Sequence, residues 1–329
     1  MSIALHQLDY FVAVAEHESF TRAAAALHIA QPSLSAQVKK LEHELGTPLF
    51  ERLPRGVSLT QIGTALLPLA RQALSDVEQV QRAAGELSGL HGGTLRVGAT
   101  PSLATALLPT ALSGFHGRYP GVALGFTEAG SKELVARLEA DELDLALVIL
   151  PVHHRVLQTV PLAEEDLVVV VGAGHRLARR RRLRLEELDG VPLVMPGEGY
   201  NLRTTVLTAC RHAGFEPALA CDGGEMDGVL ALVAGGLGAA IVPSIVANHQ
   251  YGLHVVRVSE PRLSRTIGIA RRAGAVFLAP AATFAAEVFM LLSGAGWPGV
   301  RPTGLRLAIG ADTDLWGMQF RSGLEATLS

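Results

Sequence analysis

Two apolar stripes at helical spacing stand close together near the N-terminus. Phe20, Ala23, Ala24 and Leu27 form the first. Leu34, Val38, Leu41 and Leu45 form the second, at i, i+4, i+7 and i+11. Between them His28-Ile29-Ala30-Gln31 is too short for anything but a turn, and Pro32 is expected at the first helical position, where proline is tolerated. The pattern predicts a helix-turn-helix. Rotating the second helix about its buried stripe leaves Pro32, Ser33, Ser35, Ala36, Lys39, Lys40 and His43 outward. Small hydroxyls near a helix start allow close approach to a DNA groove, and lysines farther along reach phosphates. An ordinary α-hairpin has the same spacing, so the stripes alone leave both readings open.

The neighbouring segments extend the pattern. Residues 5–16 predict a helix with Leu8, Phe11, Val12 and Ala15 inward, completing a three-helix core. After Gly46, LGTPLFERLPRGVSLT alternates through Pro54-Arg55-Gly56 as a small β-wing, with Arg52 and Arg55 at its exposed end. A basic wing tip beside a recognition helix suits a minor-groove or phosphate contact. Thr60 to Leu90 then reads as one long helix. Its apolar residues Leu66, Ala70, Ala73, Val77, Val80, Ala84 and Leu87 recur at spacings of 4 and 3, the seam of a coiled coil. Pro68 should kink or loosen its early turns. With nothing expected in its own domain to cover that stripe, the helix predicts a dimer carrying two recognition helices to an inverted-repeat operator.

Beyond Gly92-Gly93 strands and helices alternate. Strands are predicted at Thr94–Thr100, Val122–Thr127 and Leu143–Ile149, with helices at Leu103–His116 and Lys132–Ala140. A second set has strands at Leu167–Val171, Val191–Met195, Pro217–Cys221 and Ala239–Val242. Its helices are Asn201–Ala213 and Glu225–Ala234, and a closing helix at Ala281–Leu292 returns to the first lobe. Extended crossings near Val160-Pro161 and Arg265–Arg271 make this a hinged clamshell resembling a periplasmic solute-binding protein. The expected organisation is a winged helix-turn-helix over 1–60, a linker helix over 61–91 and an effector domain over 92–298. Lobe I takes about 92–161 and 269–298, lobe II about 162–268, and a tail over 299–329 is expected to be disordered.

Composition changes little. The 329 residues carry a net charge of -3, so any DNA affinity comes from local placement and not from global basicity. The N-terminus lacks a basic region followed by an apolar core, and only Cys210 and Cys221 occur, which together suit a reduced cytoplasmic protein. Gly228–Ala247 has no charge over a length that spans a bilayer. Gly235-Gly236-Leu237-Gly238 and Pro243 divide it into helix, turn and buried strand, so no membrane partner is expected.

The motifs Phe11-Val12-Ala13-Val14-Ala15, Ser19-Phe20-Thr21-Arg22-Ala23-Ala24, Gln31-Pro32-Ser33-Leu34-Ser35, Leu45-Gly46, Leu49-Phe50-Glu51-Arg52 and Leu59-Thr60 co-occur in order. Together they resemble the LysR-type transcriptional regulators, ungapped from about Leu8 to Leu74. RVGATPSL, LVARLEADELDLALV, LRTTVLTACRHAGFEP and VLALVAGGLGAAIVP extend the likeness to about Leu292. The resemblance implies an all-α winged helix-turn-helix with a linker-helix dimer, usually a tetramer, and a two-lobe α/β effector domain. It implies double-stranded DNA, a small-molecule effector and a second copy of the chain as partners, with RNA polymerase a further candidate. It maps DNA reading onto Gln31, Pro32, Ser33 and Ser35, with Thr21 near a phosphate and Arg55 on the wing. Two positions depart from the family. Ala36 replaces an arginine that would grip a guanine, and Ala30 replaces a serine that would cap the helix, at about 1 kcal/mol. Readout then leans on Arg52 and the wing, on Gln37, on Lys40 at phosphates and on DNA shape.

An effector belongs at strand C-termini and helix N-termini in the cleft, where free N–H groups and hydroxyls converge. That selects Thr100, Ser102 and Ser131 in lobe I and Asn201 with Glu225-Met226 in lobe II, and favours a carboxylate. Helix capping is the competing role for these side chains, and Glu128 nearby would oppose an anion or fix an amine. The arginines 179–182 read as a solvated loop, and His153-His154 has no third metal ligand near it, so neither metal nor cofactor is expected. Peroxide-sensing members of the resembled family carry a cysteine pair in this lobe. Cys210 falls at the resolving position, but Asn201 occupies the reactive one, which removes that chemistry. A solute-binding protein or an α/β enzyme would share the clamshell. The first needs an export signal, and the second a nucleophile or cofactor loop.

Overall fold

The structure, a computed structural model, describes residues 3–52, 56–86, 92–152, 154–198, 200–247, 252–275, 278–294 and 304–308. It divides into two compact units, Met1–Leu87 and Ser88–Ser329.

In the first unit helices α1 (Leu5–His17), α2 (Phe20–Ala26) and α3 (Gln31–Leu45) precede strands β1 (Phe50–Arg52) and β2 (Val57–Leu59) and helix α4 (Gln61–Glu86). Ser19 starts α2 by accepting the Arg22 N–H at 3.3 Å, whereas Ala30 starts α3 with no side-chain cap. Gly46 ends α3 at φ 71°, a left-handed turn that glycine adopts without strain. Pro32 is the second residue of α3, one position later than expected, because Gln31 already belongs to the helix. Two small cores lie about α1. One holds Phe11, Val12, Leu41, Leu49 and Ala70, the other Val14, Ala23, Ala24, Leu34 and Val38. Phe50 joins them, edge-on to Phe11 at 5.5 Å and Phe20 at 5.6 Å. The inward face of α1 includes Val14 and Gln7, whose Oε1 accepts the Ala4 N–H, while Ala15 is only half-buried.

Helix α4 corrects the expected seam. Leu66, Leu67, Ala70 and Leu74 pack on the head's own core, so the first turns are not a free stripe. Ile62, Leu69 and Val80 are the exposed large apolar residues, at 45%, 63% and 69%. Their spacings of 7 and 11 put them on one face. Ala73 and Val77 are half-buried between the two, and Leu87 lies outside the described residues.

In the second unit β3 (Thr94–Ala99), α5 (Pro101–Ala106), α6 (Leu108–Arg118), β4 (Ala123–Glu128), α7 (Ser131–Glu139) and β5 (Leu145–Leu150) build most of lobe I. The helix expected over 103–116 is two. Pro109, near the start of α6, lacks an N–H and its ring conflicts with the preceding turn, so the chain breaks at Leu107. Strand β6 (Leu157–Val171) then crosses into lobe II. That lobe contains β7 (Arg182–Leu183), a 3-10 turn at Leu185–Leu188, β8 (Leu193–Met195), α8 (Asn201–His212), β9 (Leu219–Asp222), α9 (Met226–Ala234), β10 (Ala239–Pro243) and β11 (His254–Val258). Strand β12 (Ser264–Arg272) returns to lobe I, where α10 (Ala279–Ser293) packs on α6 and β13 (Leu305–Leu307) follows.

Strand order is β4-β3-β5-β12-β6-β10-β8-β9. The lobe I end of β6 pairs with β12, and its lobe II end, Leu167–Val171, pairs with β10 on one side and β11 on the other. Both crossings are therefore strands of the sheets themselves. β11 is an element the sequence reading passed over, although its alternating burial is strand-like.

The tail departs from the expected disorder at residues 304–308. β13 pairs antiparallel with β6, Leu305 opposite Glu165, and Leu305 is buried. Arg306 reaches Asp166 at 2.7 Å, and Gly304 sits at φ 101° where a Cβ would collide with Asp166. The remainder of 299–329 lies outside the described residues. No helix among the described residues is long and apolar enough to cross a membrane.

A candidate DNA-reading head and effector cleft

Gln31, Pro32 and Ser33 form an exposed group at the start of α3, and Lys40 is exposed about two turns farther on. Thr21 is exposed on α2. Ser35 is half-buried, and Gln37 is half-buried with its Oε1 3.2 Å from His6 Nε2. Gln37 thus has an intramolecular partner competing with any base. Arg52 lies in β1, and Arg55 is outside the described residues. Sequence reasoning missed Glu42. Its Oε1 accepts the N–H groups of Leu49 (2.8 Å) and Phe50 (3.3 Å), tying the recognition helix to the first wing strand.

In lobe I the C-terminal ends of β3 and β4 meet beside the middle of β5: Thr100 N–H donates to Leu147 O, and Ala129 N–H to Ala99 O. Thr100 and Ser102 are buried, at 7% and 5% exposure, and Ser131 is half-buried as the first residue of α7. In lobe II, Gly197 N–H donates to Gly224 O and Gly223 N–H to Met195 O, bringing the starts of α8 and α9 together. Asn201 is exposed at the first position of α8, while Met226 is buried in the core and offers only its main chain. The capping alternative fails for the polar four. Thr100 precedes α5 without capping it, and the starts of α7 and α8 carry no side-chain cap. Thr100 Oγ1 is buried without a hydrogen-bond partner among the described residues.

The cleft is not uniformly friendly to anions. Burial raises the Glu128 carboxyl above its ordinary range, and Glu225 and Asp227 across the cleft raise it further. Asp222, by contrast, is held low by Arg203 of α8, which also donates to Pro196 O. Burial pushes the Cys210 thiol up to about 11, with Glu216 adding to it. Within the arginine run, Arg180 pairs with Glu187 and Arg184 with Glu186. His154 lies 3.1 Å from Glu139, and His153 is outside the described residues.

A model of the bacterial regulatory helix-turn-helix proteins of the LysR family matches residues 5–64, and one of the LysR substrate binding domain matches 88–289. The chain is 31% identical to the hydrogen peroxide-inducible genes activator of Dickeya chrysanthemi, over 82% of this chain and 90% of that one. It is similar in structure to a full-length OxyR variant from Pseudomonas aeruginosa, with a TM-score of 0.71 and 29% identity over 88% of this chain and 96% of that one. Full-length CbnR complexed with its target DNA gives 0.64 and 27%, over 87% and 98%. A helix-turn-helix head, a two-lobe α/β domain and relatives that are regulators and not enzymes place this chain in the LysR family of DNA-binding transcriptional regulators.

Proposed function

We propose that the chain regulates transcription as a dimer, assembling into tetramers, whose operator contacts respond to a small molecule held between the lobes. Gln31, Pro32, Ser33 and Ser35 read bases, with Thr21, Lys40, Arg52 and Arg55 at phosphates. The exposed face of Ile62, Leu69 and Val80 supports self-association, since a lone helix leaves that apolar stripe in water. Thr100, Ser102, Ser131, Asn201 and the Met226 main chain line the effector cleft. The observation carrying this part is the Thr100 hydroxyl, because a buried polar atom without a partner costs about 1–3 kcal/mol unless something fills its place. An effector acts by favouring one inter-lobe arrangement, and equal affinity for both shifts nothing.

The test is a gel shift of the full chain on DNA upstream of its own gene, with thermal-shift screening of carboxylate and amine metabolites. Hits should alter the gel shift and weaken on Thr100→Val and Ser131→Ala. Hits indifferent to both variants would remove the cleft assignment.

The names of the relatives favour a second reading, a response to peroxide. Against a thiol-based response stand the asparagine at the start of α8 and a buried Cys210 whose thiol, pushed up to about 11, stays protonated at neutral pH. Peroxide treatment followed by thiol alkylation and mass spectrometry separates the readings: oxidised Cys210 or Cys221 together with altered operator binding would establish the second.

A further inference from the structure

Arg265 stands at the start of β12 where the chain passes between the lobes, and its side chain is 10% exposed. Its Nε donates to Glu165 Oε2 at 2.8 Å. Glu165 is fully buried, and its other oxygen accepts the Ile245 N–H at 2.6 Å and the Ser244 hydroxyl at 3.4 Å. Both oxygens of the carboxylate are therefore engaged, yet Arg265 Nη2 is buried with no hydrogen-bond partner among the described residues. A guanidinium has five donors in a fixed fork, and the Nη2 donors of this one are unused among the described residues.

Arg265 also lines a groove of about 720 Å³, a volume suited to a small metabolite. The groove runs from Ile149 and Leu150 at the end of β5, along the Asn201, Thr205 and Thr208 face of α8, to β12. It touches lobe I, lobe II and the crossing strand together. Among the described residues no aspartate or glutamate lines it, and Arg265 and His212 are its only titratable groups. The helix starts of the cleft are the opposite, since Glu225 and Asp227 both repel Glu128 there. An anion is therefore better placed at Arg265 than at the helix ends.

We propose that this groove is the anion-binding part of the effector site. A monocarboxylate places its charge on the unpaired Nη2 of Arg265 and its apolar body against Ile149, Leu150 and the threonine methyls of α8. The proposal rests on the effector cleft argued above and assigns its ligand class and anchor. Because the groove meets both lobes and their crossing, occupancy biases their arrangement.

The test uses the full chain and three probes: phenylacetate, 2-phenylethanol with the same body but no charge, and acetate with the charge but no body. Calorimetry or thermal shift should find saturable phenylacetate binding and at least about tenfold weaker binding of the other two, as expected for losing a charge-assisted contact or the apolar body. Arg265→Gln, made with Glu165→Gln so that no buried carboxylate is stranded, should weaken phenylacetate by about tenfold or more. Thr208→Trp, at an exposed helix position, should block the groove without touching the buried pair. Arg211→Gln, which removes an exposed charge from α8 outside the groove, should leave affinity unchanged. Absence of phenylacetate binding, or equal binding by the Arg265 variant, overturns the proposal. Binding that falls with Ser131→Ala but not with either groove variant overturns the groove and leaves the effector cleft standing.

Discussion

Glu42 of the recognition helix accepts the backbone N–H of Leu49 at 2.8 Å, and through the same oxygen that of Phe50. The wing is thereby registered on the helix it must accompany into DNA. Glu42→Ala leaves two partly buried donors unpaired and should cost about 1–3 kcal/mol in urea unfolding of the head. Glu42→Gln, which keeps an acceptor, should recover most of that. Equal stability of all three proteins would show that the wing is positioned by packing alone.

Ala30 holds an extended backbone at the start of α3 without a side-chain cap. Ala30→Ser should add about 1 kcal/mol to the head, read as a rise in Tm. A drop would mean that the serine hydroxyl finds no free N–H there.

The two faces of α4 should respond differently to a charge. Leu66→Asp strikes the head's own core and should unfold it. Leu69→Asp with Val80→Asp alters exposed positions, so monomer stability should move by less than about 0.5 kcal/mol. Sedimentation should nonetheless report a smaller particle, and operator affinity should fall by about a hundredfold as the paired heads separate. An unchanged oligomer would assign dimerisation elsewhere.

Glu128 carries a pH signature. Its native carboxyl is raised above the ordinary 4.5, chiefly by burial and then by Glu225 and Asp227. The folded state thus holds the proton more firmly than the unfolded one. Its contribution to stability is full below 4.5 and is lost as pH rises through the folded value. Glu128→Gln should therefore raise Tm slightly at pH 7 and make no difference below 4.5. An effect that grows toward acid would reverse the assigned sign.

The helix-turn-helix, the wing and the alternating strands and helices of the second unit were legible because their information is local. Period 3.6 at Leu34, Val38 and Leu41, a glycine stop at Gly46 and apolar runs such as Leu145–Leu150 are set by neighbours in sequence. Which face of α4 is covered was not local. Leu66 and Val80 are both apolar, and only the approach of α1, α3 and the wing distinguishes them. The same holds for Arg265 and Glu165, one hundred residues apart, and for Arg306 and Asp166, one hundred and forty apart. Side-chain periodicity carries no record of such distances, whereas burial and charge pairing depend on what the folded chain brings alongside. Sequence therefore determined the elements and the family, and tertiary structure decided where an unpaired guanidinium nitrogen, a trio of opposed carboxylates and an uncovered helix face would lie.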